Sequence, residues 1–294
     1  MSASPPPRPG PAVAVVTGAS RGIGRRVAER LAADGAHVIV GYRRSAGPAA
    51  EVVAELVRLG GSGTAVAAEL EEPDGVTALF DAAAEDFGRV DYFVSCAAAA
   101  AFKNVVDLRQ HHLDRAYAVN FRAFVTGAQE AAKLMDRGGR IVALTSYGST
   151  RVFPAYALLG AYKAAVEAMV RYMAVEFAGY GINVNAVNGG LVGSDSLDHY
   201  YGLDGQAPLP EVLHSIPKNR AGTVDELART VQFLLSPGSE YITGQTLAVD
   251  GGLSLIAPPF HHELGPPLAL PPRPRRDPGG NTGDSSPAPQ VRNS

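Results

Sequence analysis

Seven short runs rich in β-branched and apolar residues punctuate this chain, and the segments between them carry apolar residues at three-to-four spacing. The runs read AVAVVTG, HVIVGY, GTAVAAEL, DYFVSCA, RIVALTS, INVNAVN and QTLAVDG. Period-two and continuous apolar runs of this length form strands, and the intervening spacing forms amphipathic helices. Strand-helix alternation builds one doubly wound parallel sheet with helices on both faces, an α/β fold. Ligands of such sheets bind beyond the carboxyl ends of the strands, so chemistry-bearing residues are sought there.

The chain has 294 residues, of which 46% are hydrophobic, enough to fill one large core. A net charge of -3 gives no electrostatic footprint for nucleic acid, and no apolar run reaches a membrane-spanning length. Residues 1–11 are rich in Pro and Ser, and residues 257–294 in Pro, Gly and small polar residues; both are expected to be disordered extensions of a folded unit at 12–256. MSASPPPRPG lacks the apolar core of a signal peptide, and the single cysteine, Cys96, has no internal partner, which together point to a reducing cytoplasm. Cys96 reads as a packed side chain rather than a reactive one. His111-His112 and His261-His262 have no Cys or carboxylate at ligand spacing, so no metal site is expected.

The first run leads directly into Thr17-Gly18-Ala19-Ser20-Arg21-Gly22-Ile23-Gly24 and then into the helical RRVAERLAADG. Gly18, Gly22 and Gly24 let backbone approach a pyrophosphate, which the free N–H groups and positive end of the helix stabilise. Ser20, Arg21 and Ile23 belong to the same turn, and the arrangement makes the fold Rossmann-type. The second run ends Gly41-Tyr42-Arg43-Arg44-Ser45, with no carboxylate to hold an adenosine ribose. Arg21, Arg43 and Arg44 suit a 2′-phosphate instead, so the expected cofactor is NADPH.

Further on, Tyr156 stands seven residues before Lys163 within SYGSTRVFPAYALLGAYKAAVEAMVRYMAVEFAGYGINVNAVNGGLVGSDSL. Seven helical steps return to within about 20° of the starting face, so the two side chains can share a face. TGxxxGIG resembles the fingerprint of the short-chain dehydrogenase/reductases. The Tyr-x6-Lys spacing, the alanine-rich RYMAVE helix and the VNAVNGG turn resemble the NADPH-dependent enoyl-acyl carrier protein reductases of that superfamily, over about residues 12–256. Ordinary members carry their acid four residues before the lysine, where this chain has Leu159. Leucine donates no proton, and a tyrosine at the seventh position stands about 4.5 Å further along if the helix continues that far. Enoyl-thioester reduction asks for such a shift: hydride lands on the β-carbon while charge gathers on an oxygen two carbons away.

The resemblance implies roles residue by residue. Tyr156 would donate to the enolate oxygen, and Lys163 would bind the nicotinamide ribose and favour ionisation of the tyrosine. Ser146 matches the strand-end serine, Tyr147 could contact the acyl group, and Asn120 matches the asparagine that holds a water near the lysine. Glu69 replaces the usual Asp after the third strand and is followed by Leu70, while Ser95-Cys96-Ala97-Ala98 replaces the usual NNAG. These changes leave the backbone at Glu69, Leu70 and Ala97 able to contact the adenine side. Val192 and Ser194, after Asn188-Gly189-Gly190, would meet the carboxamide and diphosphate. Residues 195–220, with Leu197, Tyr200, Tyr201, Leu209, Leu213 and Ile216, read as a lid over an apolar acyl group.

The implied substrate is an enoyl thioester on acyl carrier protein or coenzyme A, with a homotetramer or homodimer as the assembly. Lys103, Arg115, Arg122, Lys218 and Arg220 are cations that could meet an acidic carrier. Two alternatives stay open: a carbonyl (3-keto or polyketide) reductase of the same superfamily, and a catalytically silent NADPH-binding protein.

Overall fold

The computed structural model describes residues 10–136, 138–203 and 205–255. The expected extensions fall, apart from residues 10 and 11, outside that range. Pro11 is anchored by the Arg89 guanidinium, which donates to its carbonyl at 2.7 Å.

The strands are β1 Val13–Thr17, β2 His37–Tyr42, β3 Ser62–Ala67, β4 Tyr92–Ser95, β5 Gly139–Thr145, β6 Ile182–Asn188 and β7 Thr246–Ala248. They form one sheet in the order β3-β2-β1-β4-β5-β6-β7, every neighbouring pair parallel. The helices are α1 Gly22–Ala33, α2 Ala46–Arg58, α3 Thr77–Phe87, α4 Gln110–Tyr117, α5 Ala123–Leu134, α6 Ala157–Phe177, α7 Asp195–Tyr201, α8 Leu209–His214 and α9 Val224–Leu235. All seven expected strands are present, and the fold is the doubly wound sheet the alternation predicts.

Strand side chains alternate between two cores. Val13, Val15, Phe93, Ile141 and Val184 enter one, which α3, α5 and α6 cover; Ala14, Val16, Val94, Val142 and Val187 enter the other, under α1, α2 and α9. Burial on both faces explains why these strands read as near-continuous apolar runs. Fully burying each Val or Phe contributes about 1.5–3 kcal/mol, so the paired cores are the main stabilising term.

Strand order reverses between β1 and β4, which opens a crevice at their carboxyl ends. The Thr17 hydroxyl ties that seam, accepting from the backbone N–H of Cys96 and of Ala97, both at 3.1 Å. On the far side, α1 and α9 are clasped by Arg26 and Arg30 on Asp225. A capping box in which the Thr223 hydroxyl accepts from the Glu226 N–H starts α9.

Candidate active site

A cavity of about 730 Å³ runs along the carboxyl ends of the strands, from the β1–α1 turn to Tyr156. Gly18 and Gly22 there hold φ of +65° and +56°, conformations that side chains resist. A Cβ at Gly18 would meet Ala97 Cα at 3.0 Å and one at Gly24 would meet Gly18 O at 2.4 Å, whereas the space beside Gly22 is open. No side chain caps the start of α1, so its first N–H groups remain free to receive an anion. The cradle fits the diphosphate of a dinucleotide. Ser20, Arg21 and Ile23 line the same stretch.

At the adenosine end the structure adds something the sequence did not show. Arg43 is engaged by Glu69 at 2.7 Å and by Glu71 at 3.0 Å, and Arg115 joins Glu71 at 2.8 Å. The carboxylate missing from the end of β2 therefore arrives from the loop after β3. Glu69 holds Arg43 above its ordinary pKa through the hydrogen bond they share. Arg44 lines the cavity with no such clasp among the described residues. Leu70 and Ala97 complete this wall. Arg21 reaches Asp195 of α7 at 3.5 Å across the mouth, an exposed pair that contributes little energy.

Lys163 is buried on α6, and its ammonium donates to Leu144 O, near the end of β5, at 2.6 Å. Burial lowers its pKa to about 8, with Cys96 and Glu167 opposing the shift. Cys96 is the converse case: burial pushes the thiol up to about 12, offset in part by Lys163, so it stays protonated and packed.

Tyr156 is the N-cap of α6, with φ -103° and ψ 2°, so the helix stops one residue short of it. The expectation that it lies on the helix is corrected by that residue, yet its ring still faces the cavity that Lys163 lines. Two glycines make room for it. A Cβ at Gly148 would meet the ring at 2.6 Å, and one at Gly160 would meet Gly148 O at 2.6 Å. Burial raises the phenol's pKa, and the neighbouring Ser146 hydroxyl counters this in part. Burial thus works against ionisation of the phenol. Among the described residues Ser146 Oγ makes no hydrogen bond of ordinary geometry; it sits beside the phenol and lines the cavity.

Asn120 is off the cavity wall. Its amide is used up on backbone: Oδ1 accepts from Ala99 N at 3.0 Å, and Nδ2 donates to Ala99 O at 2.8 Å and Ala116 O at 3.0 Å. It lies in a π-type turn, Ala118–Arg122, between α4 and α5. Such turns displace carbonyls from the regular helix pattern and are frequent at functional sites.

Around Tyr156 stands an aromatic wall only partly foreseen. Phe102 stacks on it with centroids 5.6 Å apart, Phe153 packs at 5.8 Å, and Tyr200 of α7 meets it edge-on at 5.5 Å. Tyr147 and Leu197 line the same end, as does Leu159, whose apolar side chain fills the place of the ordinary acid. Nothing in the local sequence marked Phe102, which follows a run of alanines after β4. Val192 and Ser194 lie at the turn where Gly193 and Gly222 pair in backbone, with the Ser194 hydroxyl donating to Val192 O. Within the expected lid, Leu197, Tyr200 and Ile216 are buried, and Tyr201, Leu209 and Leu213 pack against that cluster.

Comparison with known proteins is consistent with this geometry. Residues 18–254 match the family model described as enoyl-(acyl carrier protein) reductase. The chain is 61% identical over 265 residues to 1-cyclohexenylcarbonyl-CoA reductase of Streptomyces collinus, covering 90% of this chain and 95% of that protein. It is 36% identical over 249 residues to versicolorin reductase of Emericella nidulans, covering 82% and 94%. Among solved structures, a blue fluorescent protein from a metagenomic library in complex with NADPH superposes with a TM-score of 0.78 at 31% identity, over 83% of this chain and 98% of that one. Sheet order, glycine cradle and the matched model together place the chain in the enoyl-(acyl carrier protein) reductase family of the short-chain dehydrogenase/reductases.

Proposed function

We propose that this protein reduces the α,β-double bond of an enoyl-CoA whose acyl group is an alicyclic ring or a similarly compact apolar group, with NADPH as reductant. Reduction of an enoyl thioester follows from family membership together with the 61% identical relative. The observation that carries the finer reading is the placement of the Tyr156 phenol among the rings of Phe102, Phe153 and Tyr200, with the apolar Leu159 beside it.

The glycine cradle would hold NADPH, with Arg44 and Arg43 toward its 2′-phosphate, and the cofactor would supply the hydride for the β-carbon. Tyr156 donates a hydrogen bond to the thioester oxygen, where negative charge gathers as the double bond is lost, and so lowers the barrier. Burial keeps that phenol protonated and therefore a donor at neutral pH. Lys163 would hold the nicotinamide ribose, its ammonium kept in place by the bond it donates to Leu144 O. Ser146, whose hydroxyl sits beside the phenol, orients the substrate or a water. Asn120 acts through structure, pinning the Ala99 backbone on the cavity wall and holding the π-type turn.

Coenzyme A is favoured over an acidic carrier protein because three of the five candidate cations are engaged within the chain. Arg115 is held by Glu71, Arg122 donates to Glu71 O, and Arg220 pairs with Glu226. An oligomer formed through α6 is supported by its exposed Tyr172 and Val175. Carbonyl reduction is the alternative suggested by the versicolorin reductase likeness, but Leu159, buried in the cavity wall, leaves no acid beside the hydride acceptor.

The test is NADPH oxidation across cyclic enoyl-CoA, linear enoyl-CoA and acetoacetyl-CoA, with wild type and Tyr156→Phe. The cyclic enoyl thioester should turn over fastest, and the substitution should lower kcat by roughly 10²–10³-fold, as loss of an oxyanion donor does. Unchanged turnover in the variant, or faster reduction of acetoacetyl-CoA, would refute the reading.

A further inference from the structure

Tyr156 owes its position to a turn with an unusual backbone. Ala155, just before it, holds φ of +56°, a left-handed conformation that costs an alanine energy and is seldom kept without support. The support comes from 46 residues away in sequence. The Tyr200 hydroxyl donates to Pro154 O at 2.8 Å, on the residue preceding the strained alanine. The Tyr200 ring is 5% exposed, stands edge-on to Tyr156 at 85°, and packs at 5.0 Å on Phe102, which in turn stacks on Tyr156. One side chain from α7 thus touches both ends of the unit that presents the phenol, its backbone through the hydroxyl and its ring through the aromatic edge.

We propose that Tyr200 is a positioning residue for the reaction: its hydroxyl holds the Pro154–Ala155 turn in the left-handed form that aims the Tyr156 phenol at the thioester oxygen. The inference rests on Tyr156 being that donor. Because α7 also carries Asp195, which reaches Arg21 at the cofactor mouth, the same short helix links the cofactor cradle to the aim of the donor.

Tyr200→Phe keeps the ring and removes the tether. In steady-state assays with NADPH and a cyclic enoyl-CoA, this variant should lose roughly tenfold in kcat, the rate equivalent of one neutral hydrogen bond, while KM for NADPH and for the thioester stays within about twofold. Ala155→Gly, which adopts the left-handed turn without penalty, should return most of that loss when added to Tyr200→Phe and change little alone. NADPH binding and a thermal melt check that each variant is folded. Wild-type kcat in Tyr200→Phe, or a loss that Ala155→Gly does not relieve, overturns the proposal, as does a raised thioester KM with kcat intact, which would make Tyr200 merely a wall of the substrate site. Tyr156→Phe is assayed alongside: its inactivity with a fully active Tyr200→Phe sinks only the positioning role, whereas its full activity removes the donor reading and this proposal with it.

Discussion

Lys163 shows what burying a charge does to a fold's stability. Its ammonium is buried and meets one carbonyl, so the charged form lacks most of its hydration, and the pKa falls to about 8. The folded-state value lies below the unfolded one of 10.5, so between those values the unfolded chain binds more protons. The destabilisation is therefore complete below about pH 8 and is relieved as pH rises toward 10.5. Lys163→Met should abolish turnover yet raise the thermal midpoint at pH 7, and the gain should shrink as the pH is taken above 8. A melt that falls at pH 7 would show the lysine to be a structural support instead. Leu159 makes a complementary point at this scale: the departure there from the ordinary family pattern was legible because leucine cannot do proton chemistry. The environment of the Tyr156 phenol was not, because Phe102, Phe153 and Tyr200 are far apart in sequence from one another or carry no motif.

Among the elements, most of the described helix starts, α1 and α6 included, have no side-chain cap hydrogen bond. The one that opens α9 has a capping box. The starts of α1 and α6 both face the cavity. The start of α6 also depends on close packing against the loop after β5, where Gly148 of that loop and Gly160 of α6 leave the Tyr156 ring its berth. Gly148→Ala would drive a methyl into that ring, so kcat should fall by on the order of 10²-fold while NADPH affinity, measured by fluorescence titration, is kept. Equal losses of binding and turnover would mean that the substitution disturbs the whole cavity. The element boundaries themselves were visible in the runs of valine and isoleucine and in the turn glycines. The one-residue recession of α6 from Tyr156 was not, since alanine and leucine at 157–159 continue a helical pattern that the Ala155 turn cuts short.

For the molecule as a whole, cofactor choice is set where separate strands deliver their ends. Arg43 follows β2, Glu69 and Glu71 follow β3, and Arg115 belongs to α4; only the fold makes them one ion-pair cluster. Arg44 is left as the readier cation for a 2′-phosphate. Arg44→Ala should raise KM for NADPH by roughly tenfold, the loss of a charge-assisted hydrogen bond, and leave that for NADH nearly unchanged. Glu69→Gln, which frees Arg43 and removes a repelling charge, should lower KM for NADPH. Wild-type preference for NADH would dismiss the assignment.

Sequence alone settled the alternation of strands and helices, the glycine cradle and the Tyr-x6-Lys spacing, because those depend on residue type and on separations of a few positions along one strand or turn. Tertiary structure decided which charges Arg43 must share, which rings enclose Tyr156, and that a hydroxyl on α7 reaches the turn before it. Each of these is an encounter between side chains distant in sequence, and burial and electrostatics act through space rather than along the chain.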